Sequence, residues 1–273
     1  MTRSFSILMS VYYKERPEFL KESLESILNQ TILPEEVVIV KDGPLAEQLN
    51  TVIEYFKRTF SGKVKIIELS ENKGLGVALA IGIQACSHDI VARMDSDDIA
   101  TSFRFEKQLR VLLDNPEIDL IGSHIKEFIG NEANVIATRK VPLSHNEIVK
   151  FAKKRNPFNH MTVMYRKSKV LASGNYQTCF DFEDYYLWTQ MLMKGAKTCN
   201  IDDYLVFART GNDMYGRRGG FRYLKNEYIF QKRIKNIGFT RVSEMYFNIL
   251  THIIIRLIPS RLRGVAYKKF LRN

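Results

Sequence analysis

Three carboxylates fall within four positions at Asp95-Ser96-Asp97-Asp98, directly after the apolar run "DIVARM". Like charges at this density repel one another unless something positive sits among them. An extended chain turns Asp95 and Asp97 to the same side, and such a pair suits a hard divalent cation. Magnesium or manganese takes one or two carboxylates and leaves its other positions to substrate phosphates. A solvated acidic turn, or a cap for the helix that follows, is the alternative. Asp42 ends a second apolar run, "EVVIVKD", where an Asp-Gly turn with Gly43 competes with a binding role. Glu183 and Asp184 stand near the start of "FEDYYLWTQMLMKG"; Asp181 and Asp184 are three apart, and both fit as caps of the helix that begins there.

These acids need a scaffold, and the sequence supplies one. "FSILMSV" (5–11) reads as a buried strand, and Pro17 then suits the first turn of a helix carrying Leu20, Leu24, Ile27 and Leu28 at helical spacing. "EVVIVKDG" (36–43) and "KVKIIEL" (63–69) are further strands. "NKGLGVALAIGIQAC" (72–86) is a Gly-opened helix, and "DIVARMD" (89–95) is a fourth strand that ends at the acidic cluster. Ser102 is expected to cap the next helix, which stops before Pro116. Four β-α repeats in about 115 residues predict an α/β fold with an open, twisted, mostly parallel sheet, which binds ligands outside the carboxyl ends of its strands. Beyond it the pattern is mixed. "IDLIGSHIKEFI" is a strand, "SHNE" (144–147) has the form of a capping box, 182–194 is a helix stopped by Gly195, and "YLVFAR" closes the α/β part.

The composition fits a globular chain of 273 residues with 45% hydrophobic and 26% charged residues. Cys86, Cys179 and Cys199 form no CxxC pair, which speaks against a disulfide framework and a zinc site. A reducing cytoplasm is expected. "MTRSFSILMSVYY" reads as a first strand and not as a secretory leader, and no apolar stretch reaches the roughly 18 residues that span a bilayer. The net charge of +11 is uneven: between 209 and 273 there are fifteen Lys and Arg against three acids, and the rest of the chain is close to neutral. Such a block points to an anionic partner for this end.

Five segments in order, "SILMSVYYKE", "VVIVKDG", "NKGLG", "MDSDD" and "FEDYYLW", resemble the family 2 glycosyltransferases of GT-A fold, in particular their bacterial surface-polysaccharide branch. The resemblance covers about 4–210. It implies that Tyr12 packs on the base of a nucleotide-sugar donor and that Asp42 accepts hydrogen bonds from uracil or ribose. It further implies that Asp95 and Asp97 form the DxD element holding a manganese or magnesium ion on the donor diphosphate, where positive charge stabilises the leaving group. Asp184, with Glu183 beside it, corresponds to the catalytic base. A helix N-terminus would keep Asp184 ionised, and so a weak base. Relatives usually carry Asp-Asp-Gly where this chain has Lys41-Asp42-Gly43, which bears on the donor. His160 fits either a phosphate or acceptor contact or a structural role, and Arg217 and Arg218, among glycines, fit a lid over the donor phosphates or a solvated loop.

Thus 1–210 reads as the catalytic domain, with a nucleotide-sugar half to about 100 and an acceptor half beyond it. The segment 211–273 reads as a basic, helical, membrane-associating extension. Thr251 onward carries six basic residues and no acid, with Ile253, Ile254, Leu257, Ile258, Leu262 and Phe270 suited to an anionic bilayer surface. Packing of that helix on the domain is the competing explanation. The expected function is an inverting, metal-dependent transfer of one sugar from a nucleotide sugar, UDP-linked, to a lipid-linked saccharide at the cytoplasmic face of a bacterial membrane. No nucleic-acid-binding signature is present. Two rivals are a nucleotidyltransferase, which should carry a Gly-rich basic loop where this chain has "SVYYKERPE", and a non-catalytic membrane adaptor, which would not need the acids.

Overall fold

A computed structural model describes residues 4–211 and 220–257. Four strands, β1 (Ser6–Tyr12), β2 (Glu36–Asp42), β3 (Lys63–Glu68) and β4 (Ile90–Met94), alternate with helices α1 (Pro17–Leu28), α2 (Glu47–Thr59) and α3 (Leu75–Ala85). They pair in parallel in the order β3-β2-β1-β4. Both faces are covered, so the strands are apolar at nearly every position: Ile7 and Met9 enter a core under α1 and α2, while Leu8 enters a second core under α3. The expected four repeats are therefore present.

The second half of the sheet is mixed, as its sequence pattern leads one to expect. It contains β5 (Ile99–Ala100), β6 (Ile118–Phe128), β7 (Val135–Arg139), β8 (Met164–Arg166) and β9 (Lys197–Arg209), with α4 (Arg104–Asp114), α5 (His145–Ala152), α6 (Lys167–Ala172) and α7 (Glu183–Met193) between them. β8 lies antiparallel between β4 and β6, β9 runs parallel to β6, and β7 and β5 add antiparallel edges. The capping box at Ser144 and Glu147 is formed, and Gly195 follows α7 at φ +80°. Ser102 does not cap α4. The residue at that cap is Phe103, and Gln30 from the end of α1 accepts from the Phe105 amide at 3.2 Å, satisfying an N-terminal donor from outside the helix.

Two further helices follow, α8 (Phe221–Asn236) and α9 (Val242–Leu257). α8 packs on α7: Phe230 stacks on Phe182 at 4.8 Å between ring centroids and lies 4.5 Å from Tyr185. α9 buries Met245 and Asn248, and Asn248 donates to the Lys153 carbonyl at 2.7 Å while Lys153 pairs with Glu244 at 3.0 Å. Its exposed side carries Val242, Tyr246, Phe247 and Leu250. An ordinary surface helix turns such residues inward. No helix among the described residues is long and apolar enough to cross a membrane.

Candidate active site

The carboxyl ends of β1, β2 and β4 open on a cleft of about 480 Å³ whose walls include Tyr12, Glu15, Asp42, Asn72, Asp95 and Asp97. Three segments far apart in sequence, carrying Tyr12, Asp42, and Asp95 with Asp97, thus meet in one place. Tyr12 ends β1 with 37% of its surface free, enough to offer a ring face to a flat ligand.

Asp42 is only 2% exposed, because its carboxylate is already engaged. It accepts from the Lys73 amide at 2.7 Å, the Gly74 amide at 3.0 Å and the Asn72 side chain at 3.1 Å. Asp42 therefore clamps the loop that opens α3. A carboxylate has roughly four acceptor positions, so about one remains for a ligand. The adjoining Gly43 sits at φ +89°, and a Cβ there would lie 2.7 Å from the Asn72 nitrogen. Gly43→Ala should lower the unfolding free energy by about 1–3 kcal/mol in urea titrations, from backbone strain and the blocked approach of the loop. Lys41, the departure from Asp-Asp-Gly, turns away and pairs with Glu68 at 2.7 Å.

One oxygen from each of Asp95, Asp97 and Asp98 can be drawn within 4.8 Å of the others. Asp98, which the sequence reading left out of the ligand set, joins the cluster. It accepts from the Arg209 amide at 2.8 Å through Oδ1, while Oδ2 is buried and accepts nothing. Burial pushes Asp97 up to about 7, with the charges of Asp95 and Glu15 adding to it, and holds Asp98 well above the ordinary carboxylate range, with Asp97 and Asp95 adding. A converging set of hard oxygens, short of positive charge and with one oxygen orphaned, fits a magnesium or manganese ion.

One positive group is already inside the cluster. Arg93, on β4, is 1% exposed and forms an ion pair with Asp95. Behind it lies a second buried arginine, Arg104, whose Nη2 donates to the Arg93 carbonyl at 2.6 Å; burial, with Arg93 adding, lowers its pKa to about 9. Arg209 secures the loop from the other side, donating through Nε to the Asp97 carbonyl at 3.0 Å and lying over the Phe19 ring at 4.0 Å. Glu15 accepts from the Ser96 hydroxyl. None of these was singled out from sequence. For Arg93 a signal existed, since a charge inside a buried strand must find a partner.

Asp184 lies in the first turn of α7 but does not cap it, and neither does Asp181; the residue at the cap is Phe182, with no side-chain bond. Asp184 instead accepts from the Asn156 side chain at 2.7 Å. Burial raises its pKa, against the lowering by Asn156, by the Tyr185 amide and by Arg93, so the expectation of a weak base set by the helix end is corrected. Glu183 is pushed up to about 7 by burial, with Asp184 and Asp181 adding, and lies against Gly76 of α3. Arg93 acts electrostatically on both Asp95 and Asp184, and both acids help hold the buried Tyr176 hydroxyl protonated. The two acidic centres therefore share one buried polar region. His160 lies there too: its Nε2 meets the Tyr176 hydroxyl at 3.0 Å, and burial, with Arg93, holds it neutral. Arg217 and Arg218 lie outside the described residues.

The sequence profile of glycosyl transferase family 2 matches residues 6–173. The chain is 38% identical over its whole length, and over 98% of the relative's, to UDP-Gal:alpha-D-GlcNAc-diphosphoundecaprenol beta-1,3-galactosyltransferase of Escherichia coli. It is 40% identical to the amylovoran biosynthesis glycosyltransferase AmsE of Erwinia amylovora, over 97% of this chain and 98% of that one. Among solved structures, TarS 1-349 of S. aureus in complex with UDP-GlcNAc superposes with a TM-score of 0.66 at 18% identity, covering 98% of this chain and 76% of that one. A mannosyltransferase from Pyrobaculum calidifontis, in complex with GDP-Man and Mn2+, gives 0.63 at 14% identity, over 95% of this chain and 71% of that one. With a GT-A fold and these full-length likenesses, the chain belongs to glycosyl transferase family 2.

Proposed function

We propose that this glycosyltransferase moves one sugar from a UDP-sugar to a saccharide carried on a lipid diphosphate, in the synthesis of a bacterial surface polysaccharide. The observation that carries the reading is the meeting of Tyr12, Asp42, Asp95 and Asp97 in one cleft, within a chain alike end to end to an E. coli enzyme named for that donor and acceptor class. Tyr12 offers its ring to the base, and Asp42 holds the α3 loop and has room for one further bond to the nucleoside. Asp95 and Asp97, with Asp98, would hold manganese or magnesium, which when bound would supply positive charge to stabilise the departing diphosphate. Asp184, oriented by Asn156, takes the proton of the acceptor hydroxyl as it attacks the anomeric carbon opposite the leaving group. One such displacement inverts that carbon. Glu183 neighbours the base, and Arg217 and Arg218 are assigned to the donor phosphates on sequence grounds. His160, neutral and bonded to Tyr176, supports the base side more readily than it grips an anion.

The test is a panel of nucleotide sugars offered with manganese or with chelator, together with a diphosphoundecaprenol-linked saccharide. UDP release dependent on both metal and lipid acceptor is the expected result. Release of pyrophosphate from a nucleoside triphosphate and a sugar phosphate would favour the nucleotidyltransferase reading instead.

The site of action is proposed as the cytoplasmic face of the cell membrane, with the protein held peripherally by its basic C-terminal segment. The exposed Val242, Tyr246, Phe247 and Leu250 and the basic sequence beyond them support this reading. Each basic residue near an anionic surface contributes about 1 kcal/mol. The chain should therefore float with phosphatidylglycerol vesicles and stay behind with phosphatidylcholine vesicles. High salt should release it, and Tyr246→Ser with Leu250→Ser should weaken the binding. Equal behaviour with both lipids would remove the electrostatic part of the proposal.

A further inference from the structure

Arg93 is a costly residue for its place. Side chains alternate along β4, so Val91 and Arg93 share a face, and Val91 is packed in the core under α3 and α7 with Leu79 and Trp188. The guanidinium lies beyond that layer, at the buried polar groups beneath the cleft, with one ion pair, to Asp95 through Nη2. Its Nε and Nη1 are buried and no protein group accepts from them. An apolar side chain of similar volume would generally stabilise such a position as well or better. Stability therefore does not account for Arg93.

Its geometry does. Arg104 fixes the Arg93 backbone through its bond to the carbonyl at 2.6 Å, so the guanidinium is presented from a rigid strand. From there it grips one carboxylate oxygen of Asp95, Oδ1, and Asp95 itself lines the cleft. We propose that Arg93 is a positioning residue, whose directed ion pair aims the Asp95 carboxylate at the divalent-ion cluster and ties that cluster to the region of Asp184. Partners that orient a metal ligand in this way typically govern metal affinity or activity by about 10–100-fold. The opposite sign is also physically available: a cation next to a metal site repels the incoming ion, and its removal would then tighten binding. The sign of the effect decides between the two.

The inference rests on the proposed metal site. Manganese binding to the donor-free protein is measured by electron paramagnetic resonance for wild type, Arg93→Met and Arg93→Lys, alongside kcat and donor KM. Arg93→Met should bind manganese about 10–100-fold more weakly and lose kcat more than donor KM changes. Arg93→Lys keeps the charge without the planar fork and should fall between wild type and Met. Manganese binding by a folded variant as tight as wild type or tighter overturns the proposal, and if the Met variant does not fold, the Lys variant decides. If wild type itself binds no manganese, the metal site fails, and the role of Arg93 fails with it.

Discussion

Asp97→Asn should lower metal-dependent donor turnover by about a thousandfold, read as UDP release at saturating manganese. The loss corresponds to about 4 kcal/mol of charge stabilisation at about 1.4 kcal/mol per decade. The variant should nevertheless fold well. In the metal-free protein burial pushes the Asp97 pKa up to about 7, so its ionised form is disfavoured in the folded state. A group whose pKa is raised on folding supports stability at low pH and withdraws that support as pH rises through the folded value. With chelator present, Asp97→Asn should therefore melt like wild type near pH 4 and at a higher temperature than wild type near pH 8. Thermal scans at the two pH values check this. Loss of activity together with lower stability at pH 8 would mean that the substitution had damaged the fold, and that its effect on turnover says nothing about charge on the diphosphate.

Asp184→Asn should lower kcat by about 10²–10⁴-fold, the range for a general base, while donor KM stays near the wild-type value. The base works only when ionised, so activity falls as pH drops through its pKa. Because burial raises that pKa, the acid limb of the kcat profile should lie above the range near 3.9 of an exposed aspartate. Asn156→Leu removes the hydrogen bond that lowers it, at 2.7 Å, and should move the limb further toward neutral pH with a smaller loss of kcat. An unmoved limb in Asn156→Leu, with Asp184→Asn still active, would transfer the role of base to Glu183.

Much of this arrangement was legible in the sequence, for a physical reason. Strands covered on both faces must be continuously apolar, so "SILMSV", "EVVIV" and "DIVARM" announce both themselves and the acids at their ends. Parallel pairing then brings Tyr12 beside Asp42. Contacts made by other elements were hidden. Ser102 has the right chemistry for a cap, but α1 delivers Gln30 to the same helix end. Asp184 looks like a helix-end carboxylate, yet Asn156, 28 positions earlier, takes its oxygen. The pairing of β8 between β4 and β6 left no period in the sequence to find, because its strand has three residues. The positive partner of the acidic triplet stood two residues before it, in plain view as Arg93; only its burial and its grip on Asp95 reveal the role.

The central claim is that Asp95, Asp97 and Asp98 hold a divalent ion against the donor diphosphate at the mouth of the cleft. Crystals grown with UDP and manganese, measured at the manganese absorption edge, test it most directly. The account predicts an anomalous peak within about 2.0–2.3 Å of Asp95 or Asp97 oxygens and of the diphosphate, with the base against Tyr12. UDP bound elsewhere, or bound there with no anomalous peak beside these aspartates, would contradict it.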